Sequence, residues 1–247
     1  SYTYPASPLN PTKNGDFTTI SNPTTTVRVN PVKGEIYMSS DAREEYGKTP
    51  AYTTAPRNSE PRKDGEAWPH LLIEQYLISS ASVADFDEIV YSLDFSVDEC
   101  TNYTSDFNPS LHTAQFQWYT TFKCAKAESK FYNRYIWFGI PILDARYDRV
   151  TRGSHLDGGK DDSTGMLIYN IDQYDFAGET IEIGKKYSVS VNLKRQIEQA
   201  FNVARDNGLF TDCTLEDMKF DTMNIGWEVQ GTFKVASTIS GISIKCK

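Results

Sequence analysis

The chain has 247 residues, 39% of them hydrophobic and 23% charged. This composition predicts a soluble globular protein that is long enough to bury a sizeable core. The formal net charge of −8 argues against a nucleic-acid groove, which needs Lys and Arg concentrated on one face. No apolar run in the sequence has the length of a membrane span. No charged and then apolar signal region opens the chain, so we expect any export signal to have been removed.

The first 30 residues are rich in Pro, Thr, Asn and Ser and include the run Thr24-Thr25-Thr26. Such a composition predicts an extended lead-in or linker. We therefore expect a lead-in at 1–30 and a single β-sandwich domain at 31–247. Because segments of this kind often tether exported modules, we expect a secreted or cell-surface protein.

Apolar and polar residues alternate along several later segments, which is typical of half-buried β-strands. The segments 89–97 and 112–122 both show this pattern, with Leu93, Phe95 and Trp118 among their apolar positions. The opposite, polar positions supply candidate ligand-binding side chains: Asp94, Gln115, Gln117 and Tyr119.

Two further strands are predicted near the C-terminus, at 220–230 and 233–245. In the first, the apolar face includes Trp227, whereas Glu228 and Gln230 lie on the other face. Strands of this kind would together form a sheet with one apolar face and one polar, hydrogen-bonding face. That polar face is the candidate functional surface.

One helix is predicted, at 193–206, because Leu193, Ile197 and Phe201 fall at helical spacing and Asn207-Gly208 supplies a left-handed stop. Many short strands, long loops and one surface helix predict an all-β fold, namely a jelly-roll (concanavalin A-like) β-sandwich with one surface helix. A β-barrel is the alternative, since it predicts the same alternation.

Two strand-borne glutamates are the candidate catalytic residues. A glycosidase needs two carboxylates that flank the scissile bond, one as acid and the other as nucleophile or base. The predicted strands at 68–78 and 220–230 carry Glu74 and Glu228. Tyr76 shares the predicted face of Glu74 and is a further candidate ligand-binding residue, as is Gln230 beside Glu228. Exposed or salt-bridged glutamates on a solvent-facing sheet would give the same pattern.

These two strands also resemble a known family. The segments Leu-Leu-Ile-Glu-Gln-Tyr-Leu-Ile (71–78) and Gly-Trp-Glu-Val-Gln-Gly (226–231) resemble the glutamate strands of jelly-roll xylanases and cellulases. The closing run to Ile244 resembles the last strands of concanavalin A-like carbohydrate-active domains of exported bacterial proteins. The resemblance implies a jelly-roll fold that acts on carbohydrate. The helix at 193–206 and the long sequence separation of the glutamates depart from compact xylanases, which leaves catalysis open.

A loop at 144–164 is rich in Asp and Gly. Calcium binds where several carboxylates and carbonyls converge, so the loop predicts a calcium site with Asp157, Asp161 and Asp162 as ligands. A solvated acidic loop is the alternative and the interpretation that we favour, because the spacing does not match an EF-hand.

The four cysteines, Cys100, Cys124, Cys213 and Cys246, lack any Cys-x-x-Cys spacing, which disfavours a zinc site. One or two disulfides would fit an exported protein, and all three pairings of four cysteines are open. Four free thiols are the alternative.

Three functions are open at this point. The first, which we favour, is a carbohydrate-binding or lectin-like domain that recognises a polysaccharide on a polar concave sheet face. The second is a glycoside hydrolase that uses Glu74 and Glu228. The third is an exported adhesion or structural sandwich whose polar face meets only water. The positions of the two carboxylates discriminate between them, because a retaining hydrolase holds its pair about 5–5.5 Å apart.

Overall fold

The computed structural model describes residues 11–22, 24–45, 68–77, 81–158 and 163–247. They form two large β-sheets that pack face to face, with 52% of residues in strands and 13% in helices. The all-β sandwich that the sequence predicts is therefore confirmed.

The first sheet has seven strands in the order β1-β2-β3-β4-β13-β6-β11, and every neighbouring pair in it is antiparallel. Its strands are β1 (Thr12–Asn14), β2 (Phe17–Ser21), β3 (Thr25–Asn30), β4 (Glu35–Asp41), β6 (Ile89–Asn102), β11 (Lys186–Asn192) and β13 (Phe233–Cys246).

Three of these strands, β1 to β3, lie within the first 30 residues. The extended lead-in predicted for 1–30 is therefore wrong over 12–30, where the chain joins the first sheet. The physical reason is that threonine is β-branched and fits a pleated surface as well as it fits a linker. Val27 pairs with Met38 of β4, which is fully buried, and this contact ties the segment to the core.

The second sheet has six strands in the order β5-β12-β7-β8-β10-β9. All neighbours in it are antiparallel except β8 and β10, which run parallel. Its strands are β5 (His70–Tyr76), β7 (Thr113–Cys124), β8 (Tyr135–Asp144), β9 (Gly153–Leu156), β10 (Leu167–Asn170) and β12 (Met218–Gln230).

The core lies between the two sheets and is rich in large aromatic side chains. Trp118, Trp227 and Tyr91 are among the largest fully buried residues. The Phe116 and Trp227 rings stack with centroids 5.0 Å apart, and the indole nitrogen of Trp227 donates a 3.0 Å hydrogen bond to Oγ of Ser237 in the first sheet. Burial of such rings dominates core energetics, so these contacts fix how the two sheets face each other.

In the described ranges, three α-helices accompany the sheets: α1 (Ala42–Glu45), α2 (Gln173–Ala177) and α3 (Lys194–Asp206). The predicted helix at 193–206 is thus confirmed as α3, which buries Ile197 and Phe201 and ends before Gly208 at φ +78°. Within the part of the chain that the structure describes, no helix is long and apolar enough to cross a membrane.

Candidate functional site

The outer face of the second sheet carries a cleft of about 670 Å³. Strands β5, β12, β7 and β8 form its floor, and the segment 145–157 that follows β8 contributes a wall through Arg146, Tyr147 and Val150. A concave surface with converging polar groups is the usual setting of a ligand site.

Strand register places four polar side chains in one row across the floor. Glu228 of β12 pairs with His70 of β5 on one side and with Gln115 of β7 on the other. Gln115 in turn pairs with Asp144 of β8. Because directly paired residues point to the same face of a sheet, the row brings two carboxylates into one cleft.

Hydrogen bonds connect this row and its surroundings. Nε2 of Gln115 donates to Oδ2 of Asp144 at 2.9 Å, and Nε2 of Gln230 approaches Oε1 of Gln115 at 3.5 Å. The indole N–H of Trp68 donates to Oε2 of Glu228 at 3.3 Å. The side chain of Glu228 remains 26% exposed, with Nε2 of His70 3.9 Å from its Oε2. The Glu228 carboxylate is therefore oriented but still reachable from the cleft.

Asp144 is in a different environment, since its side chain is only 5% exposed. Its oxygens accept hydrogen bonds from Nη2 of Arg146 at 2.5 Å and from Oγ1 of Thr113 at 2.7 Å. Burial by itself would raise the pKa of Asp144, but the hydrogen bonds from Arg146 and Thr113 outweigh it and the pKa lies below its ordinary value. The hydrogen bond to Asp144 in turn raises the pKa of Arg146. Asp144 is thus ionised at neutral pH.

A second row lies four residues along β12, where Asn224 pairs with Tyr119 and Tyr119 with Gly139. A Cβ at Gly139 would lie 2.0 Å from Oδ1 of Asn170 and 2.6 Å from Cε1 of Tyr119, so only glycine lets these two side chains lie against the floor. Burial, and then the charge of Glu228, raise the pKa of Tyr119. Its hydroxyl therefore stays protonated and can donate a hydrogen bond to a ligand.

Aromatic side chains complete the cleft. Trp68 and Trp137 line it, and so does Tyr147, which is 57% exposed. Aromatic residues of this kind present an apolar body and a polar tip, and their faces suit the apolar faces of pyranose rings. The cleft therefore combines stacking surfaces with hydrogen-bonding groups.

The predicted site residues divide into two groups. The cleft contains six of them: Gln115, Gln117, Tyr119, Asp157, Glu228 and Gln230. Sequence reasoning missed Trp68, His70, Trp137, Asp144 and Asn224. The sequence places Asp144 at the start of the acidic loop at 144–164, whereas it ends β8 in the structure, and no signal in the sequence gives the register that sets it opposite Gln115.

Glu74 lies on the same face as Glu228 but in the other row, because it pairs with Asn224. Four residues along a strand separate the two rows by about 13 Å, and Glu74 is exposed on the edge strand β5. Strand geometry therefore argues against Glu74 and Glu228 as a pair that flanks one bond. Tyr76 is farther along β5 and is 74% exposed, so it does not belong to the cleft.

Asp94 lies on the opposite side of the molecule. It is exposed on β6 in the first sheet, where its Oδ1 accepts a 2.5 Å hydrogen bond from Ser188. Its assignment to the ligand-binding face is wrong because a sandwich has two outer faces, and alternation alone does not say which of them a polar residue occupies.

The predicted calcium site is described only in part. Oδ2 of Asp157 accepts hydrogen bonds from the backbone N–H and Oγ1 of Thr164, at 2.8 and 2.7 Å. Asp161 and Asp162 lie outside the described residues. Among the residues that are described, no group of three or more His, Cys, Asp or Glu is arranged to hold a metal ion. Calcium binding stays a prediction.

Comparison with known proteins gives a fold. No protein-family model matches the chain, and no curated protein does either. The native family 12 xyloglucanase from Bacillus licheniformis is similar in structure, with 9% identity, 98% of each chain covered and a TM-score of 0.51. The same enzyme in complex with ligand gives 10% identity, 98% of each chain and a TM-score of 0.50.

A cellulase derived from that of Rhodothermus marinus is also similar, with 14% identity, 94% of this chain and 93% of that chain covered, and a TM-score of 0.49. At these identities the likeness to solved structures shows the fold alone. That fold is the jelly-roll β-sandwich, as the sequence predicts.

Proposed function

We propose that this domain binds a polysaccharide chain in the cleft and hydrolyses it, with Glu228 as general acid and Asp144 as its ionised partner. The observation that carries the proposal is the row Glu228–Gln115–Asp144, which sets two carboxylates on the floor of one cleft. This proposal replaces Glu74 by Asp144 in the catalytic pair and favours hydrolysis over binding alone.

The spacing of the row fits a glycosidase. Two strand intervals separate the backbones of Glu228 and Asp144 by about 9.6 Å. Their side chains project into the same cleft, and glycosidases hold their two carboxyl groups roughly 5–9.5 Å apart, depending on the stereochemical outcome.

The environments of Glu228 and Asp144 suit two different catalytic roles. An acid must reach the glycosidic oxygen, and the Glu228 carboxylate is a quarter exposed and oriented by Trp68. The partner must stay charged to stabilise the positive charge that develops on the sugar ring. Asp144, held by Arg146 and Thr113, is ionised at neutral pH.

Substrate binding in this proposal uses the rest of the cleft. Trp68 and Trp137 stack on sugar rings, while Gln117, Tyr119 and Asn224 form hydrogen bonds with sugar hydroxyls. The fold likeness to xyloglucanases makes xyloglucan the first polysaccharide to test. A polymer of this kind also fits the secreted or cell-surface location that we propose.

Binding without cleavage is the second candidate, and one observation favours it. Both oxygens of Asp144 already accept hydrogen bonds, from Arg146, Thr113 and Gln115. A carboxylate with its lone pairs occupied in this way is a poor covalent nucleophile.

The deciding experiment measures reducing-end release and gel retardation on the same polysaccharides: xyloglucan, a mixed-linkage β-glucan and xylan. We expect the wild type to release sugar ends, Glu228→Gln to bind without release, and Glu74→Gln, the matched control on the same face, to behave as wild type. Retardation without release by the wild type would establish the binding module instead. If the wild type shows no retardation and no release, both candidates are contradicted.

A further inference from the structure

Two cysteines that are distant in sequence meet in the core. Cys124 ends β7, and Cys213 lies in the segment between α3 and β12. Their Sγ atoms are 3.2 Å apart, and the residues are 0% and 3% exposed, respectively. The contact between these two parts of the chain thus includes a pair of thiols.

Polar contacts hold the two segments together around this pair. Oγ of Ser129 donates to Oδ1 of Asp212 at 2.9 Å and lies 3.1 Å from Sγ of Cys213. The backbone N–H of Lys130 donates to Oδ2 of Asp212 at 3.2 Å. Asp212 therefore fastens the segment that carries Cys213 to the turn that follows Cys124.

The other two cysteines cannot pair with each other. Cys100 is opposite Val235 in the first sheet, whereas Cys246 is opposite Ile89. Ile89 and Cys100 are at opposite ends of β6, so strand geometry separates the two thiols by roughly 35 Å. A disulfide needs Cα atoms within about 7 Å.

We propose that Cys124 and Cys213 form a structural disulfide when the chain folds under oxidising conditions. One thiolate attacks oxidised glutathione, or another small-molecule disulfide, and releases one glutathione thiol. The second thiolate then displaces the other glutathione. In total the two cysteines lose two protons and two electrons, and the oxidant gains them. The Sγ atoms need only move from 3.2 Å to about 2.05 Å.

Burial determines when this chemistry takes place. Burial raises the pKa of Cys213 to about 12, and the thiolate is the attacking species in thiol–disulfide exchange. The folded, reduced chain therefore oxidises slowly, so the bond forms during folding. Because the disulfide would be buried in the folded protein, a reductant would break it only slowly until the protein is unfolded.

Thiol counting and peptide mapping test the proposal. The full chain is refolded in a glutathione redox buffer and labelled with a maleimide in guanidinium. We expect two labels per chain before reduction, four after it, and a linked peptide pair that contains Cys124 and Cys213. Cys100→Ser/Cys246→Ser, which leaves the pair intact, should form the same bond and give no label before reduction. Four labels before reduction, or a bond to Cys100 or Cys246, would overturn the proposal.

A stability measurement adds a second readout. Because the bond closes a long loop, the oxidised chain should have a Tm roughly 5–15 °C above that of the reduced chain. The comparison uses one sequence in two redox states, so it does not depend on the folding of a cysteine variant. Equal Tm values for chains with two and four free thiols would contradict a structural role for the bond.

Discussion

The outer faces of the two sheets share one sequence pattern and differ in what they offer to a ligand. On the first sheet, exposed side chains bond to neighbours one strand away, as Ser188 does to Asp94 and Thr238 to Asp98. On the second sheet, Glu228 has Trp68 and His70 beside it and remains open to a cleft. The difference comes from the wall at 145–157 and from aromatic neighbours. A period of two predicts a polar face, and the surrounding chain makes that face a candidate site.

The sharpest test of this comparison neutralises one carboxylate on each face. Glu228→Gln should lower kcat/KM for the hydrolysed polysaccharide by about 10²–10⁴-fold, because a general acid is lost, whereas Asp94→Asn should leave it unchanged. Reducing-end assays on both variants measure the contrast. A similar loss in the two variants would mean that the difference between the faces is not catalytic.

The second prediction concerns the buried ion pair at the cleft. Asp144→Asn should lower the free energy of unfolding by about 2–4 kcal/mol at pH 7, because it leaves the Arg146 charge without its partner. The pKa of Asp144 is lowered on folding from its ordinary value of 3.8. Its contribution is therefore complete above that value and is lost as the pH falls through the folded pKa.

Urea unfolding of wild type and Asp144→Asn as a function of pH checks this. The two curves should be parallel near neutral pH and converge below the ordinary carboxyl pKa. Asp98→Asn on the first sheet is the matched control and should change stability far less, because the exposed Asp98 accepts hydrogen bonds from the neutral Ser96 and Thr238 and has no charged partner among the described residues. A difference that persists unchanged in acid would show that the pair is not the cause.

The third prediction tests whether the second row needs its glycine. Gly139→Ala places a methyl group 2.0 Å from Oδ1 of Asn170, so we expect a loss of about 1–3 kcal/mol in stability and weaker polysaccharide binding. Gly153→Ala, where nothing lies within 4 Å, should change stability by no more than about 0.5 kcal/mol. Thermal unfolding and gel retardation give both quantities, and equal effects at the two glycines would refute the role of close packing.

The smallest effect is expected at Trp68. Trp68→Phe keeps an aromatic ring at the cleft and removes the indole N–H that donates to Glu228 at 3.3 Å. One hydrogen bond of this length is worth about 1 kcal/mol, so kcat/KM should fall about 3–10-fold with little change in retardation. Trp68→Ala, measured alongside, should also weaken retardation, because it removes the stacking surface. Unaltered kinetics in the Phe variant would show that the indole does not orient Glu228.

The sequence predicts the faces of individual strands well. The alternation at Gln115, Gln117 and Tyr119 puts these side chains on one face, and the structure agrees. The helix is predictable because its apolar spacing and its Gly208 stop are local signals. In each case the information lies within about one turn or one strand of the residue concerned.

Relations between strands are not predictable in the same way. Glu74 and Glu228 are on one face, as predicted, but register places Glu74 beside Asn224 instead. Asp144 lies in the candidate site because it pairs with Gln115. Asp94 lies in the first sheet instead. Register and sheet order depend on turns and on packing of the whole core, which a single sequence states only indirectly.

The parallel pairing of β8 with β10 has a consequence for how this molecule can change over generations. The chain leaves β8 beside Asp144, passes over the position of β10 and enters the outer strand β9 before it returns. The connection at 145–152 must therefore cross the rim of the cleft whatever its length. Insertions or deletions there would reshape the entrance while the paired rows beneath keep their register. The topology thus separates a rim whose length can change from a floor whose strand register is fixed, so the entrance of the cleft can be reshaped without refolding the sandwich.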